Sequence, residues 1–123
     1  MKLQLAKTAG LNTFTAYGED YVSINGINHH CNIAVLPDQL IPEWTQANFD
    51  SLTVADFEFL AELDAEIILF GTGKQLRFPR PELMQPLVKA QKGLEVMALQ
   101  AACRTYNMLV AEGRRVAVGL LLT

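Results

Sequence analysis

Glu66-Ile67-Ile68-Leu69-Phe70-Gly71-Thr72-Gly73 decides the fold. An apolar run, Glu66–Phe70, ended by Gly71-Thr72-Gly73 reads as a strand of an open α/β sheet, where polar groups at strand ends are the usual place for a ligand. The chain after it repeats the pattern with helices between. Pro81–Gln91 reads as a helix, Leu94–Met97 as a strand, Gln100–Glu112 as a helix and Arg115–Leu122 as a last strand. Pro81 suits a first helical position, and Gly93 and Gly113 suit left-handed positions after helix ends. Pro86 removes a helical hydrogen bond, so a kink or a late helix start is expected there. Two consecutive β-α-β units predict right-handed crossovers and a largely parallel core.

The first third is β-like. Asn12–Tyr17 alternates Thr13 and Thr15 with Phe14 and Ala16. Tyr21–Ile24 and Ile27–Leu36 flank Asn25-Gly26, the pair that a type I′ hairpin turn requires. Pro37 to Ser51, with Trp44, reads as a connector. Thr53 is placed as the N-cap of a helix running to about Leu63, with Asp56 near its positive end and Phe57 and Leu60 facing the core. The expected fold is a three-layer α/β domain, residues 1–123. A mixed central sheet has a β-α-β-α-β C-terminal half and N-terminal antiparallel hairpins.

The chain has 123 residues, half of them apolar, and a net charge of −3 from ten Lys and Arg against thirteen Asp and Glu. That is enough for one core of ordinary size, burying roughly two-thirds of the unfolded surface. The acidic balance argues against nucleic acid as the main partner. Two cysteines are too few for a disulfide framework, which suits a reducing compartment. The first residues, Met1-Lys2-Leu3-Gln4-Leu5, lack a signal-peptide apolar stretch, and no run suits a membrane span. A soluble, cytoplasmic chain without membrane insertion is expected.

Candidate chemistry centres on two places. Gly71-Thr72-Gly73-Lys74 invites a phosphate cradle. A Walker loop needs Ser or Thr after Lys74, where Gln75 stands, and glycine where Ile68 stands; a dinucleotide fingerprint needs glycine at Leu76. Both motifs fail, leaving a tight turn into Gln75–Phe78. The second place is Cys103-Arg104-Thr105-Tyr106-Asn107. Ala101, Ala102, Thr105, Met108 and Leu109 share one helix face, expected to meet the sheet. Arg104 is expected near the helix N-terminus, where guanidinium and free N–H groups favour an anion. Against that, Arg104 could pair with a carboxylate of its own chain and Asn107 could satisfy a loop backbone, and the balance leans that way. Cys103 beside a cation could carry a lowered pKa, but no nearby histidine supplies a base, so an ordinary semi-buried thiol is expected. His29-His30-Cys31 offers too few ligands for zinc, and no metal or cofactor is expected. Lys89, Lys92, Arg114 and Arg115 read as solvated helix-end charges.

The order Leu69-Phe70-Gly71-Thr72-Gly73, Gly93-Leu94-Glu95-Val96-Met97, Ala102-Cys103-Arg104-Thr105-Tyr106-Asn107 and Glu112-Gly113-Arg114 resembles the family called domain of unknown function 498. Its eukaryotic members include a mitochondrial complex I assembly factor. The resemblance implies a three-layer α/β fold with a mixed sheet and no established enzyme activity. It implies a non-catalytic assembly or interaction module acting on a larger protein or complex, with a protein partner such as a membrane-complex subunit. The alternative, read from the residues themselves, is a binder or enzyme for a small anionic molecule using the Gly71–Gly73 loop and Arg104. Candidate ligand- or partner-binding residues are Gly71, Thr72, Gly73, Arg104, Thr105 and Asn107.

Overall fold

The computed structural model describes residues 10–122. Strands β1 (Phe14–Tyr17), β2 (Val22–Ile24) and β3 (Ile27–His29) form a three-stranded antiparallel sheet. Asn25-Gly26 makes the two-residue turn between β2 and β3, with φ of 53° and 85° and Ile24 opposite Ile27. Positive φ at both positions is what type I′ demands, and Asn and Gly tolerate it.

The second sheet contains β4 (Ile33–Leu36), β5 (Gln39–Pro42), β6 (Ile67–Gly71), β7 (Gly93–Met97) and β8 (Val116–Leu120), in the order β5-β4-β8-β6-β7. β6 lies parallel to β7 and β8, while β4 is antiparallel to β5 and β8. Two expectations need correction here. Ile27–Leu36 is not one strand. The chain leaves the small sheet after His29 and enters the large one at Ile33. The connector expected from Pro37 also holds a strand, because Pro37-Asp38 is itself a tight turn that pairs Leu36 with Gln39. The proline that signals an ending here serves as a turn residue.

Helix α1 (Val54–Ala61) begins after Thr53. Asp56 accepts from the Thr53 backbone N–H at 2.9 Å, so the carboxylate satisfies the helix start from inside its first turn. A 3₁₀ turn over Pro81–Met84 precedes α2 (Gln85–Lys89), with Pro86 in its first turn. The late start expected from Pro86 is therefore what forms. The left-handed residue ending α2 is Gln91 (φ 57°), not Gly93, which opens β7. Helix α3 (Leu99–Ala111) ends at Gly113 with φ 79°. There Arg114 N–H reaches Leu109 O at 2.9 Å, the closing bond of a Schellman motif.

Alternation along β4, β6 and β8 sorts their side chains onto two faces. Ile33, Val35, Leu69, Val116, Val118 and Leu120 face α3 and the small sheet. Ala34, Leu36, Ile68, Phe70, Ala117 and, just past β8, Leu121 face α1, α2 and Trp44. These are the three layers. The β6-to-β7 connection steps outward, whereas β7 returns past β6 to β8. With crossovers of one hand, that reversal puts α2 and α3 on opposite faces.

Candidate functional site

The connections step to one side of β6 and then to the other, so the carboxyl end of β6 is where a crevice is expected in an open α/β sheet. Gly71 ends that strand. A Cβ there would lie 2.5 Å from Leu120 Cδ2 and 3.2 Å from Ala102 Cβ. Glycine is needed so that α3 can lie close on the sheet. Thr72 is buried. Its hydroxyl donates to Gln75 O at 2.6 Å and accepts from Arg77 N–H at 3.2 Å, fixing the loop. Gly73 takes φ 92°, and its carbonyl accepts the Leu99 N–H at 2.8 Å. Ala98 has no capping side chain, and this backbone contact satisfies one of the helix's free donors instead. The loop and the helix start are thus together, as their shared sheet end predicts.

Between them opens a cleft of about 370 Å³ lined by Gly18, Glu19, Gly73, Lys74, Ala98, Leu99, Gln100 and Leu122. Its cation, Lys74, lies 3.1 Å from Glu19. Of the six candidate residues only Gly73 lines it. Arg104 is the sixth residue of α3, so it stands roughly 7 Å along the axis from Leu99. The expectation that it sits among free N–H groups is corrected on that ground. The side chain is exposed, and no hydrogen bond or ion pair to it occurs among the described residues. Among the described residues, the intrachain carboxylate that the sequence favoured is not beside it. Thr105 is half-buried beside it.

Asn107 has a different job. Its amide accepts from Phe14 N–H at 2.8 Å and donates to Phe14 O at 2.7 Å. It thereby pairs with an edge strand of the small sheet as another strand would. Tyr106 is fully buried, donates its hydroxyl to Asn12 O at 2.9 Å and meets Phe14 edge-on at 5.2 Å. The pair Tyr106-Asn107 ties the small sheet to α3.

The buried face of α3 is Leu99, Ala102, Cys103, Tyr106 and Val110. The stripe expected from Ala101 and Met108 was rotated: both are exposed. Cys103 consequently lies inside, and burial pushes its thiol up to about 12, opposite to the lowering that a neighbouring cation would produce. Burial likewise raises the Tyr106 hydroxyl. Among the described residues no group of three or more His, Cys, Asp and Glu is placed to hold a metal ion.

Sequence reasoning missed several working side chains. Lys92 donates to Ala61 O at 2.8 Å and Leu63 O at 2.7 Å, capping α1 from another element and not its own helix. Arg114 and Arg115 pair with Glu66 and with Asp38 and Asp64. Asn32 accepts from Leu122 N–H at 2.8 Å and donates to Thr45 O and Ala47 O, both at 3.0 Å. No local pattern announces such long-range bonds.

These features define a three-layer α/β domain whose polar residues near the sheet end mostly bind its own backbone. The chain belongs to the family described as protein of unknown function (DUF498/DUF598), whose profile matches residues 14–121. The crystal structure of a Bordetella parapertussis protein is 39% identical, covers 91% of this chain and 96% of that one, and superposes with a TM-score of 0.83. A Danio rerio relative, 27% identical over 97% of this chain, is named NADH dehydrogenase [ubiquinone] 1 alpha subcomplex assembly factor 3. A Francisella tularensis relative, 36% identical over 56% of this chain, is named 13 kDa major membrane protein. The matched stretches span 68% and 56% of those two proteins. No helix among the described residues is long and apolar enough to cross a membrane.

Proposed function

We propose that this chain is a non-catalytic assembly or interaction module acting on a larger protein complex at a membrane. The observation that carries this is the outer face of α3. Ala101, Arg104 and Met108 project there as one exposed stripe, with Met108 54% exposed. Arginine and methionine are residue types enriched where proteins meet, and a small residue beside them permits close approach. Asn107 and Thr72, which a small anionic ligand would have needed, are instead engaged by the fold. The Danio rerio relative's name supports the assembly role, and the Francisella tularensis relative's name supports the location.

The test is genetic. Cells lacking the gene should show one membrane complex diminished on native gels, with its subunits accumulating in smaller intermediates. Wild-type protein should restore it, and Arg104→Ala with Met108→Asp should not, although that variant folds. An unchanged complex profile without the gene, or full restoration by the variant, overturns the reading.

A further inference from the structure

Residues 74–80, Lys-Gln-Leu-Arg-Phe-Pro-Arg, leave the β6 loop as an irregular segment. Exposure alternates along its second part. Leu76, Phe78 and Arg80 face outward, with Lys74 exposed at the same parity, while Arg77 is half-buried and Pro79 buried. Phe78 is 70% exposed and Leu76 50%. The inward positions explain the geometry. The Arg77 guanidinium lies 4.5 Å from the centroid of the Phe49 ring, its backbone is held by Thr72, and Phe78 and Pro79 border a small cleft with Leu52 and Leu83. Anchored so, the segment must present its apolar pair to the outside. A large aromatic left exposed on a held loop, with a cation on either side, makes an amphipathic row. Its span is about 20 Å if fully extended.

We propose that this row is a peripheral attachment site for an anionic bilayer surface. Phe78 and Leu76 would enter the headgroup boundary, while Lys74 and Arg80 would meet the lipid phosphates. Although the chain is acidic overall, the outward row itself carries two cations, Lys74 and Arg80, and no acid. The acids nearby are Glu19, paired with Lys74 on the surface, Asp50 in the cleft, and Glu82 in the adjoining turn. The exposed Lys74–Glu19 pair is weak enough to exchange for phosphate. A projecting row suits a fluid bilayer, which requires no matching pocket. The proposal stands apart from the partner surface on α3.

Sedimentation with vesicles of pure phosphatidylglycerol or pure phosphatidylcholine tests it. The wild type should bind the anionic vesicles, remain free with the neutral ones, and dissociate as salt is raised. Leu76→Ser with Phe78→Ser should weaken binding by about tenfold or more, and Arg80→Glu by about fivefold or more. Both variants should stay folded with a cooperative melt, since most of the Phe78 side chain and half of Leu76 lie outside the core and Arg80 is exposed. No binding to phosphatidylglycerol by the wild type, or equal binding by the serine variant, overturns the proposal. Failure to bind vesicles together with loss of complex assembly in the serine variant would assign the row to a protein partner instead. That result would leave the assembly reading intact.

Discussion

Asn107→Ala separates a structural asparagine from a ligand-binding one. The substitution removes two hydrogen bonds, at 2.8 and 2.7 Å, and leaves the Phe14 N–H and C=O without those partners beside the buried Tyr106 ring. Two net hydrogen bonds plus partial desolvation of two backbone groups amount to about 2–4 kcal/mol. For a domain of this size that is a fall in melting temperature of roughly 8–16 °C. Arg104→Ala, three residues away on the same helix, should change stability by less than about 0.5 kcal/mol, because the side chain is exposed. Denaturant melts followed by the fluorescence of buried Trp44 give both numbers. Hydrogen exchange adds a local probe: the Phe14 amide should lose protection in Asn107→Ala and keep it in Arg104→Ala. An Asn107→Ala variant as stable as wild type would refute the clamp. A large loss in Arg104→Ala would mean that the guanidinium serves the fold.

Gly71→Ala should destabilise by about 1–3 kcal/mol, since the new methyl would meet Leu120 at 2.5 Å and Ala102 at 3.2 Å. Leu120→Val in that background should recover part of the loss, and strictly additive melts would sink the close-packing explanation. The Cys103 thiol should resist alkylation in the folded protein at neutral pH. Its folded pKa is raised from 9.0 to about 12, so between those values the native state holds a proton that the unfolded state has lost. Its contribution to stability is therefore complete below about pH 9 and is lost as pH rises toward 12. Cys103→Ala should flatten the alkaline part of the curve, and an unchanged slope would count against a buried neutral thiol.

Local chemistry accounts for the parts of the fold that the sequence predicted well. Asn25-Gly26 specifies its hairpin because few residues accept two successive positive φ values. The alternation of strands and helices after Glu66 arises from short apolar runs and the changes in period between them. Pro86 delays α2 through the N–H it lacks. Where prediction failed, local chemistry left a choice. Pro37 could end a strand or make a turn, and only the pairing of β4 with β5 selected the turn. Gln91 took the left-handed position expected of Gly93 because the α2 backbone ends there.

The sequence by itself determined an amphipathic helix containing Cys103, Arg104 and Asn107, starting near the end of a parallel strand. It did not determine that helix's rotation. Apolar residues occur on more than one side of α3, so periodicity supports two stripes nearly equally. Tertiary contact chose the stripe through Tyr106, whose hydroxyl finds Asn12 O and whose ring meets Phe14. That rotation buried Cys103, aimed Asn107 at the edge of β1, and left Arg104 and Met108 outside. The same holds for Leu76 and Phe78. Their residue types are apolar, and their outward placement comes from the anchoring of Arg77 over Phe49 and of Pro79 in the cleft. Composition and period act along the chain, whereas the facing of a side chain depends on which distant surface has room and partners for it.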